Sequence, residues 1–140
     1  MEEDAGEPER CAIVVNAELP AGKAANAAAV IALTLGKRHP HLAGADLVDG
    51  SGQAHPGLIP IGIAVLAAPE AELRAVRAKA LKSGFDVVDF PVQGQQTNDY
   101  LEFGSRVRQV PTEVLSYAGV GIYGTRRGVG RIVGKFPLLK

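Results

Sequence analysis

CAIVVNAELPAGKAANAAAVIALTLGK, from Cys11 to Lys37, passes from an apolar strand through a polar turn into a helix with hardly a polar residue. Cys11 to Val15 is a short β-branched run with the signature of a fully buried strand. Pro20-Ala21-Gly22-Lys23 makes the turn, and from Ala24 to Leu35 only Asn26 and Thr34 are polar. A helix apolar on almost every face is expected to be buried. Its alanines, five of the eight residues from Ala24 to Ile31, would let it lie close to a sheet. Polar groups in its first turn would then be held rigidly at the end of the first strand, so that junction is the first place to expect a site.

Working outward, alternation continues. Asp46 to Asp49 with the Gly50-Ser51-Gly52 turn predicts a small hairpin, and Leu58 to Leu66 a second core strand, bulged or at an edge because of Pro60 and Gly62. Pro69 opens an amphipathic helix with Glu70 and Glu72 in its first turn, an apolar stripe of Leu73, Val76, Ala80 and Leu81, and Gly84 after its end. Phe85 to Phe90 reads as a third strand, Asn98 to Val110 as a surface helix, and Ala118 to Tyr123 as a fourth strand. A further helical turn follows Pro111, and a glycine-rich helix, Arg126 to Gly134, closes the order. Strands alternating with helices long enough to cross over imply an α/β sandwich with some parallel pairing.

At 140 residues the chain supports one core rather than two. Residues 11–140 are therefore read as a single domain, preceded by a disordered acidic leader, MEEDAGEPER, at residues 1–10. Charge is unevenly spread: the leader carries five acids and one arginine, whereas residues 104–140 carry seven bases and one acid. That basic quarter suits either solvated surface helices or weak RNA binding. A single cysteine gives no internal disulfide and fits a reducing cytoplasm. No secretory signal is visible, and the longest apolar run, about a dozen residues, is too short to span a bilayer. The expected location is therefore cytoplasmic.

Site candidates gather where strands end. Asn16 closes the first strand, Lys23 and Asn26 lie at the start of the helix, and Gln93, Gln95, Gln96 and Thr97 follow the third strand. In an open α/β fold these segments meet at one end of the parallel strands, where ligands bind. Amides at a helix start add positive potential, so a small anion such as a carboxylate or phosphate suits the patch. Asn16 and Asn26 serve equally well as braces of the turn, and the glutamines as a solvated loop. His39, His41 and His55 lie in proline-containing loops without metal-site spacing, so neither metal nor other cofactor is expected. Gly119, Gly121 and Gly124 resemble a dinucleotide fingerprint only loosely, because no strand-to-helix turn surrounds them.

The opening VVNAELPAGKAANAAAV and the ending GVGIYGTRRGVGRIVGKFPLL resemble the two ends of type II peptidyl-tRNA hydrolases. The phrases LPAGKAANAAAV, LGKRHP, HPG and VVDF more closely resemble a bacterial family of domains of unknown function, number two thousand, similar in fold to those hydrolases. The resemblance spans residues 11–140. It implies a three-layer α/β/α sandwich around a four-stranded mixed sheet and raises peptidyl-tRNA cleavage as an activity. The motif residues depart from it. The helix histidine of the hydrolases falls on Ala29 or Val30, the loop aspartate on Val92 and the threonine on Gln96. Ester hydrolysis needs a group to take the proton of the attacking water and a donor to the oxyanion; Lys23 can be the second, and no residue is assigned as the first. The favoured reading is a homodimeric, cytoplasmic domain that binds a small anionic ligand. The alternative is an acyl-ester hydrolase, with peptidyl-tRNA the ester the resemblance implies.

Overall fold

The computed structural model describes residues 7–140. In chain order they form β1 (Glu9–Asn16), α1 (Ala21–Arg38), β2 (Leu47–Val48), β3 (Ala54–His55), β4 (Ala64–Ala68), α2 (Glu70–Lys82), β5 (Asp86–Pro91), α3 (Tyr100–Arg108), β6 (Tyr117–Thr125) and α4 (Arg126–Val133). The main sheet has the order β4-β1-β6-β5. β1 and β4 are parallel, from Ala12 opposite Ala64 to Asn16 opposite Ala68, and β6 runs antiparallel to both β1 and β5. Hence β1, β4 and β5 point one way and β6 the other. This is a mixed four-stranded sheet, and β2 and β3 make a separate hairpin.

Alternation along β1 divides the core into two layers. Ala12 and Val14 join Leu73, Val76, Val129 and Val133 beneath α2 and α4. Cys11, Ile13 and Val15 join Ala24, Ala27, Ile31 and Leu35 beneath α1. The result is helix, sheet, helix. α1 approaches β6 closely because β6 has glycines on that face: a Cβ on Gly121 would overlap Ile31 Cγ2 and stand 3.0 Å from Leu35 Cδ1, and one on Gly119 would stand 3.1 Å from Ile31 Cδ1. Gly124 makes room in the same way for the Phe85 ring. Close packing accounts for these three glycines.

Three expectations need correction. α1 is not buried all round: Ala24, Ala27, Ile31 and Leu35 are buried, while Ala25, Ala29 and Leu33 are exposed, Leu33 by 78%. Alanine has the highest helix propensity and little apolar surface, so a run of alanines tolerates water on its outer face. The strand expected over Leu58 to Leu66 begins only at Ala64. Before it the chain turns, with Gly62 at φ 71° and its amide donating to Ile59 O, a conformation that the apolar letters conceal. Finally, Glu9 and Arg10, assigned to the leader, are strand residues opposite Thr125 and Gly124. Residues 1–6 of that leader lie outside the described residues.

Candidate ligand-binding site

α1 begins without a side-chain cap. Pro20 occupies the N-cap position, its carbonyl accepts from the Ala24 amide, and no acidic residue lies in the first turn. The leading amides therefore have no helical acceptor, and their dipoles favour negative charge nearby. Against this turn rests the loop after β5, a 3-10 turn at Val92–Gln95. Gln95 Nε2 donates to Lys23 O at 2.8 Å and to Asn26 Oδ1 at 3.2 Å, fastening loop to helix. Between them opens a cleft of about 320 Å³ whose polar walls are Lys23, Asn26, Gln95, Thr97 and Asn98.

Four of the seven residues named from the sequence, Lys23, Asn26, Gln95 and Thr97, thus meet in one cleft. The other three, Asn16, Gln93 and Gln96, do not line it. Asn16 Oδ1 accepts from the Glu18 amide at 2.9 Å, bracing the turn, and Gln96 is exposed beyond the cleft. Gln93 lies in the same loop with its Oε1 buried and, among the described residues, without a partner. Nearby acids are engaged elsewhere. Asp99 accepts from the Leu101 and Glu102 amides as the N-cap of α3, and Asp89 pairs with Arg77 of α2 at 2.7 Å. Among the described residues, the lining of this cleft supplies donors and a cation and includes no carboxylate or imidazole.

A family model described as "Protein of unknown function (DUF2000)" matches residues 9–140. The chain belongs to this family. A solved structure, that of a protein of unknown function, Atu0240, from Agrobacterium tumefaciens strain C58, is similar to this DUF2000 chain with a TM-score of 0.84. The two are 16% identical, and the match covers 93% of this chain and 96% of the other. At that identity the likeness shows the fold. No curated protein matches.

The DUF2000 chain also carries a cluster that its sequence did not disclose, at the opposite end of the sheet. Asp86, the first residue of β5, accepts from Arg38 Nε and Nη2 at 2.7 and 2.8 Å and contacts His39 Nε2 at 2.6 Å. His41 Nε2 stands 3.0 Å from both Glu9 Oε1 and the Tyr123 hydroxyl, which itself donates to Glu9. The His39 ring lies 4.2 Å from that of Tyr123. Arg38 holds the Asp86 carboxyl below its ordinary range, and Tyr123 and His41 do the same for Glu9. Burial and the Glu9 carboxylate push the Tyr123 phenol up to about 12. Among the described residues, no group of three or more His, Cys, Asp and Glu side chains is placed to hold a metal ion. Nor is any helix among them long and apolar enough to cross a membrane.

Proposed function

We propose that this DUF2000 domain binds a small anion at the junction of β1 and α1, and that it is a binding module rather than a hydrolase. The observation that carries this reading is the pairing of Lys23 with an uncapped helix start inside a cleft walled by amides and a hydroxyl. Each of those groups donates hydrogen bonds, and the helix start adds favourable potential. Asp99, the acid closest in sequence, already caps a helix. The three histidines bind carboxylates elsewhere, at Asp86, Glu9 and Asp49. The working form we propose is a cytoplasmic homodimer. Residual affinity of the basic C-terminal quarter for RNA would be weak and salt-sensitive.

Thermal unfolding tests the reading. A ligand at ten times its Kd stabilises by about 1.4 kcal/mol, so phosphate or a small carboxylate should raise the Tm of the wild type measurably and leave that of Lys23→Ala unmoved. The same pair, supplied with peptidyl-tRNA, should show no turnover, because a missing general base alone costs about two to four orders of magnitude. Robust cleavage by the wild type that is lost in Lys23→Ala would reverse the preference.

A further inference from the structure

The anion cleft does not end at Thr97. A second cavity of about 220 Å³ adjoins it, and the two share Val30, Phe90, Gly94, Thr97 and Asn98 as lining. The second is walled by aromatic rings. Phe103 stands edge-on to Phe90 with centroids 6.1 Å apart, and Tyr100, 83% exposed, stands edge-on to Phe103 at 6.0 Å. Gly94 lets these rings converge, since a Cβ there would overlap Phe90 and come within 2.8 Å of Phe103. Charge is divided between the halves: Lys23 lines only the first cavity and Asp99 only the second.

The geometry points to a bipartite ligand: an anion whose carboxylate or phosphate lies by Lys23 and which carries one phenyl-sized apolar group directed toward Phe103 and Tyr100. This rests on the anion reading above and adds the second half to it. Three features select the occupant. The apolar space exceeds the roughly 150 Å³ that suffices for benzene in an apolar cavity, and is small for more than a ring or a short chain. Aromatic walls favour edge or offset contact with a ring. The Asp99 carboxylate repels an anionic head from that half, so the orientation of the ligand is fixed.

Amide chemical shifts at Gly22–Asn26 and Gly94–Tyr100, followed by NMR, give affinity and location together. The probes are two matched pairs, inorganic phosphate with phenyl phosphate and acetate with benzoate. The expected result is that in at least one pair the aromatic member binds on the order of tenfold more tightly, from the added apolar burial. Tyr100→Ala, an exposed position whose loss leaves the core intact, should remove most of that advantage while leaving the parent anion unchanged. Lys23→Ala should weaken both members. Equal affinity within both pairs overturns the bipartite ligand and leaves the anion site standing. An aromatic advantage that survives Tyr100→Ala, or shifts confined to other residues, also overturns it. Failure of all four probes overturns the anion reading, and the inference with it.

Discussion

Asp86 ties two elements together, because one carboxylate holds the end of α1 through Arg38 and His39 while opening β5. Its pKa, like that of Glu9, is lower folded than unfolded. An acid of this kind stabilises the fold above its unfolded pKa, about 4, and loses that contribution as pH falls through the folded value. Tyr123 is the opposite case. Its folded pKa, near 12, lies above the unfolded value of about 10, so its contribution is complete below pH 10 and lost as pH rises toward 12. Melting temperature followed from pH 6 downward should therefore fall less steeply in Asp86→Asn than in the wild type, from a lower starting point. Tyr123→Phe should flatten the alkaline limb and, because the phenol helps to hold the Glu9 carboxyl low, part of the acid limb as well. The sequence concealed this cluster because its partners lie far apart, 47 residues from His39 to Asp86 and 82 from His41 to Tyr123. Lys23, Asn26, Gln95 and Thr97 were legible, since the order of elements alone brings a strand end and a helix start together. Asn16 and Gln96 sit in the same segments, but side-chain direction in a turn has no period to read.

At the scale of elements, the contact of α1 with β6 depends on glycine. Gly121→Ala would drive a methyl group into Ile31 and Leu35, both fully buried, and overpacking of this kind costs about 1–3 kcal/mol. Gly36 lies inside α1 with open space where its Cβ would be, so Gly36→Ala should stabilise by about 0.5–1 kcal/mol through helix propensity. Urea denaturation of the two variants beside the wild type checks both signs. Equal midpoints would show that α1 does not rest on β6 as described. The helices were legible from the sequence where they had a polar face and punctuation, as α2 did between Pro69 and Gly84. Residues 58–63 misled because an apolar run has no period when its chain turns; Leu58 is 69% exposed and Ile61 43%. Sequence showed that the last glycine-rich helix had to rely on packing, and Val129, Ile132 and Val133 of α4 are indeed buried.

For the molecule as a whole, apolar surface remains on the outside of α1 at Val30 and Leu33 and on the hairpin at Leu47 and Val48. Such surface favours self-association, and a two-fold pairing is the commonest outcome. Multi-angle light scattering at micromolar concentration should give a dimer, with Leu33→Glu shifted toward monomer; a monomeric wild type would remove the proposed assembly. The sheet guards one edge itself: Ala67 donates to Pro137 O and Leu139 to Val65 O, so residues near the C-terminus cover β4. Its centre has another consequence, set by the order β4-β1-β6-β5. β6 is the last strand in the chain, yet it separates β1 from β5. While a ribosome makes the roughly 50 residues between β4 and β6, at about 5–20 residues per second, Ile13, Val14 and Val15 have β4 as their sheet neighbour on one side and nothing on the other. For roughly 2–10 s each nascent chain displays a half-finished sheet, and that interval is when chaperones would find it.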